Sequence, residues 1–427
     1  MTATQPLQSA GAGPISPGQV EMLLSQIETL PTLPVVASRL LEMTLDDRRG
    51  AGDVAALVAS DQTLSARILS VVRKANIGAD VQTVDRAVVL LGCDAVRSLV
   101  LGVQIFEMFK HRTEQASDRF DRAGLWRHSL AVGCAARLIT GHRMANRARS
   151  KAARMGWPLP RPEDAFICGL LHDLGKVVFD ACFPKSYERV IERIETRRAD
   201  IIETERDVFG IDHTVAGHRL AQHWKLPQAV AECIWLHHHA PDSTPTRIGF
   251  PDHVLIVQAA DRLVRQMRIG YSGNYAADDQ PGQWEDVLGL TDQAIEQVKL
   301  ALPQTIELRA ELLGLDQITS TELLQESITR TNAELARVNA ELLLANRTLQ
   351  QRSRTLDALL VLGEATAPDT AHEAIAEGML EAAHLLVGSD AVGVVIGSCT
   401  RQITILATLS GADAAPRVEL LPASLLA

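Results

Sequence analysis

Ile328, Leu335, Leu342, Leu349 and Leu356 recur every seven residues, and Thr331, Val338, Ala345, Arg352 and Leu359 form a companion row three residues later. Side chains seven apart share one face of an α-helix, so residues 316–362 are predicted to be a single long helix with an apolar seam. At about 1.5 Å per residue the heptads alone span roughly 50 Å, more than an ordinary globular helix. Such a seam needs a second helix to leave water. The expectation is a homodimer through residues 324–359, with a modest two-stranded coil because the companion row is small or polar. The chain therefore reads as domains on either side of a signalling helix.

Composition narrows the rest. A chain of 427 residues has room for two or three domains. Aromatics make up only 4%, which argues against base-stacking platforms for single strands. The net charge of −10 disfavours non-specific contact with nucleic acid or an anionic membrane surface. No apolar run reaches membrane-spanning length. Residues 1–18, rich in Gly, Pro, Ser and Ala, read as a disordered leader with no secretory pattern. Cys93, Cys134, Cys168, Cys182, Cys233 and Cys399 lie scattered in apolar patterns with no CxxC, as buried reduced thiols do, and the expected compartment is the cytoplasm.

Before the coil the pattern is helical nearly throughout. A first subdomain, residues 19–110, opens with the rigid Leu30-Pro-Thr-Leu-Pro34. It continues through an Asp53-capped helix to Asp61, a helix from Thr63 to Asn76, and two more at 87–92 and 95–109. It holds no cluster of metal-ligand residues, so its function would have to be binding. A second subdomain, residues 111–315, holds nearly all the notable histidines. Residues 141–162 interrupt it with Arg143, Arg147, Arg149, Lys151, Arg154 and Arg161 beside His142. This stretch is expected to be a solvated surface insertion, with a nucleic-acid patch as the lesser reading. After Glu364 the texture changes to an amphipathic helix, 370–387, and two strands, 391–396 and 402–408.

One stretch organises the second subdomain. Ala165-Phe-Ile-Cys-Gly-Leu-Leu-His172-Asp173-Leu-Gly-Lys176 is an apolar helical run that delivers an adjacent imidazole and carboxylate, a pair suited to a divalent metal that also binds phosphate oxygens. Candidate partners follow in order on successive helices: His128, His213 with Gly217 one turn on, the run His237-His238-His239, and Asp261 in an otherwise apolar helix. Gly217 lets its helix sit close to a neighbour and leaves space beside the imidazole. A lone carboxylate facing a core is costly without a metal, a cation or a hydrogen bond, which is why Asp261 stands out. Lys176 could neutralise a phosphate oxygen. His111, His142, His223 and His253 read as ordinary satisfied histidines.

This order resembles the HD superfamily of metal-dependent phosphohydrolases. Leu30-Pro-Thr-Leu-Pro34, residues 56–75 with Ser60-Asp61, Ala87-Val-Val-Leu-Leu-Gly92, Gly169 to Lys176, Asp212-His213 with Gly217, Trp224-Lys-Leu-Pro227 and His238-His-Ala-Pro241 are more specifically similar to the HDOD output domain of bacterial signalling proteins. The resemblance covers about residues 20–265. It implies a mainly α fold, an all-helical HDOD bundle, with metal ligands His128, His172, Asp173, His213, His238, His239 and Asp261. Iron, manganese or zinc is the implied ion, and Lys176 the cation on the phosphate side. Residues 363–427 resemble the first part of a GAF domain, an α/β sensor. No Gly-Tyr-Pro follows the histidine run, against cyclic-dinucleotide hydrolysis of the HD-GYP type. Gly124, one turn before His128, stands where a related bimetal site carries a bridging Glu. HDOD domains resemble relatives that regulate through binding. The expected function is thus a signal-transduction regulator that recognises a signalling protein or a phosphate-containing small ligand. The alternative is a metal-dependent phosphohydrolase in which Asp173 and Lys176 take part in catalysis.

Overall fold

The computed structural model describes residues 17–30, 33–44, 50–74, 81–110, 119–145, 157, 159–239, 248–275, 287–313, 318–366, 372–387, 391–397, 403–410 and 417–422. Residues 1–16 of the expected leader 1–18, and Arg147, Arg149, Lys151 and Arg154 of the expected basic insertion, lie outside them, and Pro17 and Gly18 begin a helix instead. The chain is mainly helical, as expected, and divides into two compact units, residues 1–330 and 331–427.

The first unit begins with α1 (Pro17–Ile27), α2 (Val35–Thr44), α3 (Ala51–Ala59), α4 (Gln62–Lys74), α5 (Val84–Leu91) and α6 (Cys93–Lys110). Asp53 is not the N-cap. Helix α3 starts three residues earlier at Gly50, and the Asp53 carboxylate reaches back to accept from Gly50 N at 3.0 Å. Gly92, at φ 85°, separates α5 from α6.

Helix α7 (Arg122–Ala145) is the centre of the second bundle and is buried on most of its circumference. It packs on α8 (Pro162–Leu171) at a crossing of glycines, where a Cβ on Gly169 would sit 2.8 Å from Gly133 Cα. Leu125, Leu130 and Ile139 are buried along α7. Such side chains each contribute about 1.5–3 kcal/mol. Helices α9 (Leu174–Cys182), α10 (Pro184–Arg197), α11 (Ile201–Phe209), α12 (His213–His223), α13 (Gln228–Leu236), α14 (Pro251–Gln266) and α15 (Asp292–Leu312) complete the layer. Helix α9 lies against α12 because Gly175 and Gly217 face each other. A Cβ on Gly175 would meet His213 O at 1.8 Å, and one on Gly217 would meet Gly175 N at 2.9 Å.

Of the described basic side chains in residues 141–162, Arg161 is exposed and Arg143 departs from the expected solvated character. Arg143 is 3% exposed and pairs with buried Asp252 at 2.6 Å, tying the end of α7 to the start of α14. Arg161 pairs with Asp164 at 2.8 Å and Asp94 at 3.4 Å. Cys134, Cys168 and Cys233 are free and buried, as expected, and burial pushes the Cys134 thiol up to about 12. Among the described residues no single helix is long and apolar enough to cross a membrane.

Helix α16 (Ser320–Ala365) runs 46 residues without a break. Its first turns belong to the first unit and its remainder to the second. In the second unit α17 (His372–Val387) precedes β1 (Ala391–Gly397), β2 (Ile403–Ser410) and β3 (Arg417–Pro422). The strands form an antiparallel meander, with Val394 opposite Ala407 and Leu406 opposite Glu419. The strand β3 is beyond the two expected. Its Arg-Val-Glu-Leu-Leu-Pro is too short and too charged for a clear alternation signal.

Candidate metal centre

His172 and Asp173 occupy the break between α8 and α9. The chain leaves α8 at His172 in helical conformation, bends at Asp173 (φ −94°, ψ 15°), and restarts with Lys176 N donating to Asp173 O at 3.0 Å. The bend turns both side chains into the space between α7, α12, α13 and α14. His128 enters from α7 and Asp261 from α14. His213 is the first residue of α12, held there by Asp212, whose carboxylate accepts from Thr214 N and Val215 N at 3.0 and 3.2 Å.

Two sets of ligand-type atoms result, each with its members within 4.8 Å of one another: Asp173, His213, His237 and His238, and His128, His172 and Asp261. The structure thus gathers His128, His172, Asp173, His213, His238 and Asp261. It does not gather His239, which lies past the end of α13 and is outside both sets. His237 takes that place. It continues the helical conformation beyond Leu236, stacking one turn above Cys233, so its ring reaches the site and is 4% exposed.

The proton positions of three imidazoles follow from their partners. His172 Nδ1 is 2.7 Å from Gly169 O, His237 Nδ1 is 2.9 Å from Ile234 O, and His213 Nδ1 is 2.6 Å from Glu205 Oε2. Carbonyl and carboxylate oxygens only accept, so each Nδ1 carries a hydrogen, and in the neutral ring Nε2 turns a lone pair inward. His213 Nε2 and His237 Nε2 are 3.3 Å apart, and each is 3.4 Å from Asp173 Oδ1. With both rings neutral these are three acceptor atoms in a triangle, and a cation among them would relieve their repulsion. A tetrahedral ion with metal–nitrogen bonds near 2.0–2.1 Å sets its ligand atoms roughly 3.3–3.4 Å apart. The triangle has that size. Asp173 Oδ1 and His238 Nε2 are buried and have no hydrogen-bond partner among the described residues, which completes a donor set open to a metal.

The second set is looser. His128 Nε2 is 3.0 Å from Asp261 Oδ1 in an orientation that leaves both ring nitrogens without a well-directed hydrogen bond. His172 Nε2 is 3.9 Å from the same oxygen. Arg265 holds the other Asp261 oxygen at 3.1 Å. Asp173 faces both sets, Oδ1 toward His213 and His237, and Oδ2 toward His172 at 3.4 Å and His128 at 3.9 Å.

Charge in the cluster suits a divalent ion. Burial alone would raise the Asp173 carboxyl, but the His172 and Lys176 charges hold it well below the usual range. Burial likewise opposes ionised Asp261, and Arg265 and His128 outweigh it. Burial drives the His237 imidazole down to about 4, against the pull of Asp173, and lowers His128 and His238 as well. His172 is the exception: burial works against its charge, but Asp173 and Asp261 raise it.

Two residues differ from the sequence reading. Lys176 is 1% exposed, with Nζ donating to Asp173 Oδ2 and to Ser272 O at 2.7 Å each, so its ammonium is held inside the protein. Glu205, on α11, was not singled out at all. Its Oε2 accepts from both His213 N and His213 Nδ1, and its Oε1 from Tyr187 OH at 3.4 Å. No local pattern marks it, because its partner lies on the next helix.

The protein-family model described as HDOD domain matches residues 30–241. An uncharacterized protein of Treponema pallidum (strain Nichols) is 27% identical over 224 residues, 51% of this chain and 39% of that protein. The chain thus spans well under half the length of that relative. Among solved structures, an HDOD domain protein of unknown function from Geobacter sulfurreducens is 24% identical with a TM-score of 0.55, covering 69% of this chain and 97% of its own. A Shewanella amazonensis SB2B protein whose name suggests a phosphohydrolase is 24% identical at TM-score 0.50, covering 68% and 97%. A Marinobacter aquaeolei VT8 protein whose name suggests a signal-transduction role is 19% identical at TM-score 0.55, covering 70% and 65%. At these identities the solved structures share the fold. The chain carries an HDOD domain at residues 30–241.

Proposed function

We propose that this protein is a cytoplasmic signal-transduction regulator whose HDOD bundle binds a divalent metal and acts by binding rather than by turnover. The observation that carries the reading is the buried triangle of His213 Nε2, His237 Nε2 and Asp173 Oδ1, with every Nδ1 proton already directed elsewhere. Iron, manganese or zinc fits this donor set. Burial of six of the seven side chains favours a regulatory ion over access for a bulky phosphodiester.

In this reading α16 dimerises with a second copy and joins the bundle to residues 363–427, a GAF-like sensor. Ile328, Leu335, Leu342, Leu349 and Leu356 support the dimer, since each is more than half exposed along one continuous helix. The helix-then-antiparallel-strand order supports the sensor. The partner of the bundle is a signalling protein or a phosphate-containing small ligand. Either shifts the protein only by preferring one of its states.

Phosphohydrolysis is the second reading, favoured by the position of Asp173 between both ligand sets. A bound metal would supply Lewis acidity and a water acidified to a pKa of about 7. Lys176 would hold Asp173 Oδ2, and Asp173 would orient the reacting centre. Metal content of protein purified without chelator, wild type beside His172→Ala/Asp173→Ala, tests the first reading. One or two equivalents lost in the double variant are expected, and a metal-free wild type even after reconstitution would refute it. Turnover of phosphodiester model substrates by the wild type, abolished in His172→Ala, would move the reading to the enzyme.

A further inference from the structure

After α14 the chain turns through Gly270 (φ 68°) and runs back along α7 as residues 267–275. The approach is close. A Cβ on Gly270 would lie 2.3 Å from His128 N and 2.5 Å from Gly124 O, so only glycine fits both the conformation and the space. Tyr271 N donates to Gly124 O at 2.8 Å, and Ser272 O accepts from Lys176 at 2.7 Å. The middle of the loop is thus bonded to the turn that carries His128. The next residue is bonded to the cation that holds Asp173.

The same loop is gripped from its other side by the start of α16, within the first unit. Ser327 Oγ donates to Met267 O, and the Arg330 guanidinium donates to Gly270 O. Arg330 is aimed by Glu326 at 2.7 Å and Asp121 at 3.6 Å. Glu326 in turn pairs at 3.4 Å with Arg127, the neighbour of His128 on α7. The long helix therefore touches the candidate metal centre through one intervening layer of backbone.

We propose that residues 267–275 are the gate of the metal centre and that the Ser327–Arg330 turn of α16 is its latch. The inference rests on the metal reading and names the regulation of that site. A displacement of α16 withdraws Arg330 from Gly270 O and Ser327 from Met267 O. The loop then loses its outer bonds while keeping Tyr271 on Gly124 and Ser272 on Lys176, so it opens more often. Metal exchange, which on this proposal passes the loop, quickens. By linkage, a bound metal that favours the seated loop also favours the latched position of α16.

The test uses the full chain, with Arg330→Ala against wild type and Arg337→Ala as a control farther along the helix. Amide exchange of residues 267–275 in metal-free protein reads the latch, and release of bound zinc to excess chelator reads the gate. Both are expected to quicken at least roughly fivefold in Arg330→Ala, the lower end of ordinary coupling between sites. Exchange in α8 and both rates in Arg337→Ala stay at wild-type values. Unchanged exchange in the loop overturns the latch. Faster exchange with unchanged zinc release overturns the gate. A wild type that takes up no zinc overturns the metal reading beneath both. If Arg330→Ala loosens α8 as well, Ser327→Ala, which removes a single hydroxyl bond, decides by the same criteria.

Discussion

Glu205 holds His213 twice with one oxygen: Oε2 accepts the backbone N–H at 2.7 Å and the Nδ1–H at 2.6 Å. The pair fixes the ring's rotation and its tautomer together, and neither residue has measurable exposure. A carboxylate behind a ligand imidazole also makes it a stronger donor.

Glu205→Gln keeps the shape and removes the charge. Metal affinity is expected to fall about 10–100-fold, the usual cost of losing such a partner. Competition with a chelator of known affinity measures it, alongside the melting temperature of the metal-free protein. An unchanged affinity with a lower melting temperature would leave Glu205 only a packing role.

Gly175→Ala should be among the most damaging single-methyl changes. Its Cβ would lie 1.8 Å from His213 O, a backbone atom that cannot rotate away. Overpacking of this kind costs about 1–3 kcal/mol. It would also push α12 outward and carry His213 off the triangle. Urea unfolding should show the lowered midpoint, and metal uptake should fall with it.

Acid should unfold the protein partly through His253. Burial lowers this imidazole from 6.5 to about 4, with Asp164 and Glu232 only partly offsetting it. Between those values the unfolded chain binds a proton that the native state refuses. Stability therefore falls as pH drops through that window, by up to about 1.4 kcal/mol per pH unit for this group. Urea midpoints from pH 7 to 5 should decline less steeply in His253→Gln. Parallel slopes would show that other groups set the acid limit.

The seam of α16 predicts a dimer in solution. Leu342→Lys with Leu349→Lys places charge where each leucine would contribute about 1.5–3 kcal/mol on burial. Sedimentation equilibrium should show the wild type as a dimer and this variant as a monomer. A monomeric wild type at tens of micromolar would remove the coil from the proposal.

Much of this was legible beforehand because period and order survive folding. The helices of the HDOD bundle followed from apolar spacing, and the order of His128, His172-Asp173, His213 and Asp261 from successive helices. The histidine run was misread by register. Helix α13 ends at Leu236 but its geometry persists through His237, and Pro241 gave no sign of which residue would face inward. Arg143 was misread because a basic run looks solvated, whereas its carboxylate partner Asp252 comes from more than a hundred residues away. Glu205 and the contacts of the 267–275 loop were invisible for the same reason. Their meaning lies in partners that only the fold supplies.

Gly124 decides what else this corner of the bundle can hold. A Cβ there would stand 2.7 Å from Tyr271 Cβ and 2.1 Å from Asp121 Oδ2. A bridging carboxylate at this position and a seated 267–275 loop therefore compete for one volume. A side chain at Gly124 evicts the seated loop, and the seated loop leaves that position room for hydrogen alone.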